Sequence, residues 1–232
     1  MNTKGSPLLT TRFTEELRNQ NLRTWEAAVG HQFVKELFDG SIDDTVMAGY
    51  LTQDYRFLDA FLALIGAAVA SADTLEARLT LARFAGEVAG DENTYFQHSF
   101  DTLGVTEELR RETPNTAATT GFQALFREAA DTREYAAILS VLVVAEWLYL
   151  DWATRVSHPR PTDPVHADWI TLHDYPGFHE LVAFLRAELD RVGPQDRDTA
   201  GDFFGRAVDL ELAFFDAAYA HPLTEAGREV VR

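Results

Sequence analysis

The chain has 232 residues, enough for one substantial core and short for two. Its 46% hydrophobic and 25% charged residues are those of an ordinary soluble globular protein, while a net charge of −17 argues against nucleic acid or anionic membrane as partners, because both require cationic surface. No cysteine is present, which excludes disulfides, thiolate metal sites and cysteine nucleophiles.

The opening residues, MNTKGSPLLTTRF, carry no hydrophobic signal region, so we expect a cytoplasmic protein. Phe13 to Val29 reads as a first amphipathic helix, with Phe13, Leu17, Trp25 and Val29 near helical spacing. A short helix, HQFVKELF, follows and stops at Asp39-Gly40. Ser41 with Asp44 resembles a capping box, after which one helix is predicted from about Asp43 to Ala72. Asp73-Thr74 opens the next, Gly86 and Gly90 are places where it can bend, and DENTYFQHSF carries it on to Leu103-Gly104. Thr113–Thr120 reads as a loop or helix start, Phe122–Ala130 as a helix, and Thr132 as a cap for the following helix. That helix, Tyr135–Trp152, is apolar almost all round and should lie at the centre of the fold. SHPRPTDP (157–164) is a proline-broken loop, and His166–Leu172 a short helix. Tyr175-Pro176-Gly177 is a turn into FHELVAFLRAELDRV; Gly193-Pro194 ends that helix, and a last one runs from about Asp196 to Ala220.

No sustained alternation, internal repeat or low-complexity linker is visible. The expectation is a single all-α domain over 1–232, with tails at about 1–10 and 222–232 and roughly seven to nine helices. The two longest apolar tracts, Phe57–Ala72 and Tyr135–Leu150, each contain a carboxylate and fall short of a membrane span, so both read as core helices.

Three acidic residues fall on apolar helix faces. Residues three, four and seven apart share a face. For Asp54 these neighbours include Met47, Tyr50, Leu51, Phe57 and Phe61; for Glu146, Leu139, Leu142, Val143 and Tyr149; for Glu211, Phe204, Val208, Phe214 and Phe215. Asp209, roughly 200° away around its helix, should be solvated. A single buried carboxyl is commonly structural. Three together look like a polar pocket in a helical bundle, with carboxyls whose proton affinities differ; the alternative is a buried polar network that only sets helix register.

Several segments resemble the TenA/thiaminase-II family: HQFVKELFDGSIDDTVMAGYLTQDYRFL (31–58), DENTYFQHSFDTLGV (91–105), VVAEWLYLDW (143–152) and DLELAFFDAAY (209–219). The resemblance implies a haem-oxygenase-like helical bundle without haem, assembled as a homodimer or homotetramer, acting on a small pyrimidine in thiamine salvage. No cofactor and no metal are expected. It places a pyrimidine-anchoring role on Asp54, an acid/base role on Glu211 and pocket positions on Tyr149, Phe57, Phe122 and His173. The last three occupy positions where hydroxyl-bearing tyrosines are usual in the family. Thiaminase II uses a cysteine on the central helix; Ala145 stands there, followed by Glu146, similar to the cysteine-lacking branch.

The mechanism expected is hydrolysis of 4-amino-5-aminomethyl-2-methylpyrimidine or its N-formyl derivative by carboxyl acid/base chemistry. Asp54 anchors the ring, Tyr50, Phe57 and Trp147 flank it, Glu211 moves the proton, and Glu146 orients water or stabilises developing positive charge. Tyr149 offers a hydroxyl to one of the two. Two rivals remain: a non-catalytic pyrimidine-binding protein, and a di-metal oxidase using Asp91, His98 and Glu146. His31, His158, His166 and His179 show no ligand spacing.

Overall fold

The computed structural model describes residues 11–155 and 159–223. In chain order the α-helices are α1 (Phe13–Gln20), α2 (Leu22–Val29), α3 (Gln32–Asp39), α4 (Asp44–Tyr55), α5 (Leu58–Ser71), α6 (Leu75–Glu87) and α7 (Asn93–Leu103). They continue with α8 (Glu107–Glu112), α9 (Ala117–Thr132), α10 (Tyr135–Thr154), α11 (Pro164–Leu172), α12 (Pro176–Val192) and α13 (Arg197–Ala220). A π-helical turn, Val88–Glu92, joins α6 to α7, and a 3-10 turn, Gly193–Gln195, precedes α13. No strand occurs among the described residues, as the sequence leads one to expect. The expected ends of the chain, and His158 with most of its SHP segment, lie outside them.

The central position expected for the apolar helix is observed. α10 packs against α13, α12, α5, α9 and α2, and 83% of its most apolar window is buried in the bundle, which is why a helix long enough for a bilayer is a core element here. It has no capping side chain at its N-terminus, so packing rather than a local signal holds it. Around it Phe33, Phe96, Phe204 and Phe215 are fully buried, each contributing roughly 1.5–3 kcal/mol by leaving water.

Local signals set the ends of many other helices. Gly40 and Gly104 take left-handed φ values of 66° and 67° to stop α3 and α7. Thr74, Thr106 and Thr116 each accept a backbone N–H through the side chain at the start of α6, α8 and α9. The cap of α4 is Asp43, which accepts from the Thr45 N–H, rather than Ser41. Thr132 ends α9, its hydroxyl accepting from the Glu134 N–H just before α10. Pro176, expected in a turn, is instead the first residue of α12, a position whose N–H has no intrahelical partner anyway. The short α8 is not among the helices expected from the sequence, although Thr106 supplies its cap.

Two long predicted helices are broken, which raises the number of helices among the described residues above expectation. The first divides at Asn21, whose side chain amide takes the Leu17 carbonyl at 2.9 Å. The second divides at Arg56-Phe57, for a reason far away in sequence. Gln53 donates to the Pro114 carbonyl at 2.9 Å and accepts from the Thr116 N–H at 3.0 Å and the Thr119 hydroxyl at 2.7 Å. Gln123 then donates to the Arg56 carbonyl at 2.9 Å. That carbonyl is drawn out of the helical ladder, and the Arg56 and Phe57 N–H groups fall back on carbonyls three residues earlier. The turn re-aims Phe57 toward the interior, beside Asp54.

Candidate active site

Asp54 lies in the last turn of α4, Glu146 in the middle of α10 and Glu211 in the middle of α13. All three are buried, with exposures of 6%, 9% and 3%, and all three line one hollow. Asp209 is exposed, as its angular offset requires. The bundle geometry explains the convergence: α10 packs on α13, and α13 on α4, so one inward residue from each meets the same space.

Aromatic rings form the walls. Phe57 stands 5.4 Å from both Phe122 and Phe214, centroid to centroid, and Phe57, Phe122 and Phe126 face the hollow. On the other side Tyr149 and His173 lie 4.8 Å apart, and Trp169 meets His173 edge-on at 4.5 Å. His173 Nδ1 is 2.8 Å from the Trp169 carbonyl. A carbonyl only accepts, so Nδ1 carries the hydrogen and Nε2 keeps its lone pair. Burial lowers the His173 pKa to about 4, with the Trp169 bond pulling the other way, and the ring is neutral.

Two residues expected at the ring face lie elsewhere. Trp147 follows Glu146 on the helix and therefore points about 100° away from it. It packs on Trp25 at 4.9 Å, with the Arg186 guanidinium 3.7 Å from its ring centre, and does not line the hollow. Tyr50 stands behind the wall, sharing a 2.7 Å hydrogen bond between its hydroxyl and that of Tyr149. Of the residues considered as metal ligands, Asp91 lines the mouth, but His98 is exposed and does not. Among the described residues no three His, Asp or Glu side chains are grouped to hold a metal ion. His31 caps α3 and bonds Asp216, and His179 bonds Asp174.

One carboxyl was missed from sequence. Glu92, at the end of the π turn, lines the hollow together with Glu87 and Asp91 at its mouth. The signal was present: Leu81, Phe84, Val88, Tyr95 and Phe96 form a buried stripe at helical spacing, and Glu92 falls within it.

Among the described residues no Arg or Lys lines the hollow beside these carboxyls. Burial pushes the Glu92 pKa up to about 7. Burial also drives Asp54 well above the ordinary range, with the Glu92 charge adding and the Tyr50 hydroxyl partly offsetting. Glu146 is raised by burial, then by Glu92 and Asp54; Glu211 by burial, then by Asp54 and Glu146. These groups retain protons at pH values where exposed carboxyls have lost them. Asp54 Oδ2 is buried without a hydrogen-bond partner. Ala145, at the position where the family resemblance puts a cysteine, also faces the hollow. The space thus has proton donors, a neutral imidazole and flat rings, but no side-chain nucleophile of the thiolate kind.

The profile of the TENA/THI-4/PQQC family matches residues 19–221. The chain belongs to this family. It is 22% identical over 213 residues to an aminopyrimidine aminohydrolase of Halalkalibacterium halodurans, covering 89% of this chain and 95% of that one. A second aminopyrimidine aminohydrolase, from Bacillus subtilis, is 23% identical over 171 residues, with 74% and 72% covered. Among solved structures, a TenA homologue from P. horikoshii OT3 superposes with a TM-score of 0.81 at 20% identity, covering 91% of this chain and all (100%) of that one. A TenA homologue from Pyrococcus furiosus gives 0.77 at 19%, covering 89% and 100%. The TenA-type all-α fold is therefore established for this chain.

Proposed function

We propose that this TenA-family chain is a C–N hydrolase of thiamine salvage, acting on 4-amino-5-aminomethyl-2-methylpyrimidine or its N-formyl derivative through carboxyl groups alone, as in the cysteine-lacking branch. The convergence of Asp54, Glu146 and Glu211 on one ring-lined hollow carries the reading. The aminopyrimidine aminohydrolase relatives support the reaction class.

Asp54 is the ring anchor. Its unpartnered Oδ2 has no hydrogen-bonding group of the protein to meet, and a protonated carboxyl pairs in two places with an aminopyrimidine: O–H to ring nitrogen, and exocyclic N–H to the second oxygen. Phe57 and Phe122 line the space for the flat ring. Glu211 delivers its proton to the leaving nitrogen where that nitrogen is neutral, as in the amide, and the electron pair of the C–N bond departs with nitrogen; an amine that enters protonated already carries that proton and leaves as ammonia. Water, oriented by Glu146, forms the new C–O bond, and its proton passes to the Glu211 carboxylate left by the first transfer or, where the amine entered protonated, to the departing ammonia. Tyr149, its hydroxyl bonded to that of Tyr50, lies close enough to Glu211 for the carboxylate charge to raise its own proton affinity.

Thiamine, the aminomethyl pyrimidine and its formyl derivative, each incubated with the purified chain, test the assignment. The expected product from the second or third is the hydroxymethyl pyrimidine or the free amine, with thiamine left uncleaved for want of a thiolate. Tight binding with turnover of none identifies a non-catalytic pyrimidine-binding protein instead.

A further inference from the structure

We propose that Glu92, flanked at the mouth by Glu87 and Asp91, recognises a positively charged amine on the substrate and so sets a preference for an ammonium-bearing ligand over a neutral one. The inference rests on the reading of the site as one for an aminopyrimidine, and it adds a specificity residue outside the three carboxyls already given roles.

The first ground is the composition of the lining. Six acidic residues border the hollow and no Arg or Lys does, although the chain is rich in Arg elsewhere. Among the described residues, Asp54, Glu92, Glu146 and Glu211 form no ion pair, whereas fourteen Arg–carboxylate pairs are made elsewhere. Carboxyls in an interior are ordinarily paired, and here the protein provides no partner. The second ground is independent of the charge count: Asp54 is more than nine-tenths buried, lines the hollow and leaves Oδ2 without any hydrogen bond. An unsatisfied acceptor in that setting is a place where a ligand donor belongs.

The third ground is local geometry. Glu87 ends α6, and the wider π turn that follows brings both Asp91 and Glu92 to the lining. Glu92 is close enough to Asp54 and Glu146 to raise the proton affinity of both. A cation seated there relieves that mutual repulsion. An aliphatic amine is mostly protonated near neutral pH and brings this charge; a formamide or a hydroxyl is neutral and leaves the carboxyls uncompensated.

The test compares the dissociation constant of the aminomethyl pyrimidine with that of the hydroxymethyl pyrimidine by calorimetry, alongside kcat/KM for the amine and its formyl derivative. Wild type is expected to bind the amine about tenfold or more tightly than the hydroxymethyl compound. Glu92→Gln should reduce that ratio about fivefold or more, while binding of the hydroxymethyl compound changes less than about threefold. A ratio unaltered by the substitution, or equal loss for both ligands, overturns the proposal. Should Glu92→Gln fail to fold, the double variant Glu87→Gln/Asp91→Asn, altering two exposed side chains, must still weaken the amine selectively; no selective change overturns it. Preference for the amine without turnover of any compound leaves this inference standing and removes the hydrolase reading. Turnover without preference does the reverse.

Discussion

Glu211 and His173 illustrate how one environment acts on opposite charges. Burial keeps a proton on Glu211 and keeps one off His173, because both neutral forms are favoured in a ring-lined interior. We predict that Glu211→Gln lowers kcat by about 10²–10⁴-fold, the usual worth of a positioned acid, with circular dichroism and unfolding cooperativity retained. Wild-type rates in that variant would remove Glu211 from the mechanism. His173 should titrate with a midpoint near 4 and show a protonated Nδ1 by nitrogen NMR between pH 6 and 8; a midpoint above 6 would contradict the buried, carbonyl-bonded ring.

At the scale of elements, a departure from regular helix shapes the site. The clamp from Gln53 and Gln123 breaks the chain between α4 and α5 and turns Phe57 inward. Gln53→Ala strands the Thr116 N–H in a buried setting, while the Thr119 hydroxyl still has the Thr116 hydroxyl 3.0 Å away; an unsatisfied buried group costs about 1–3 kcal/mol. We therefore expect a loss of about 1–3 kcal/mol by denaturant titration, together with a raised KM as Phe57 loses its fixed position. A loss under about 0.5 kcal/mol would show that the break is held by something else. Gly49, by contrast, matters through space. A Cβ there would stand 2.9 Å from the His221 carbonyl, so Gly49→Ala must push α4 from the chain leaving α13 and lower the melting temperature.

For the molecule as a whole, the acidic hollow sets a cost that grows with pH. In the unfolded chain Glu211 loses its proton near the ordinary glutamate pKa of 4.5, while the folded chain retains it. The unfolded state then binds fewer protons, and stability falls as pH rises above 4.5. Glu92 adds the same sign between about 4.5 and 7. Gln in place of Glu211 has no proton to lose, so the variant should match wild type near pH 4 and exceed it at pH 8. Each kcal/mol recovered raises the melting temperature by roughly 2–4 °C in a chain of this size. A pH-independent difference between the two would deny Glu211 its raised proton affinity. The opposite sign applies to Asp151. Burial raises it, but Arg155, Trp25 and Arg18 together hold it below the usual range, so its contribution is lost as the medium becomes acid.

Much of this was legible from residue order alone, because helical spacing reports which side of an element faces inward. The all-α class, the central place of α10, the stops at Gly40 and Gly104, the burial of Asp54, Glu146 and Glu211 and the solvation of Asp209 all follow from that periodicity. What it does not report is how elements distant in sequence meet. The break before Phe57 depends on hydrogen bonds from residues 114–123, more than fifty positions away. Trp147 turned aside because the adjacent residue took the inward direction, and a helix apolar all round gives no means of choosing between them. Glu92 lay on an inward stripe, yet its place beside Asp54 and Glu146 required the π turn and the packing of α4 against α7. Periodicity thus determined which carboxyls are buried. Tertiary packing alone decided that they share one hollow, since their mutual repulsion and the absence of a neighbouring cation are properties of distances between helices rather than of any one helix.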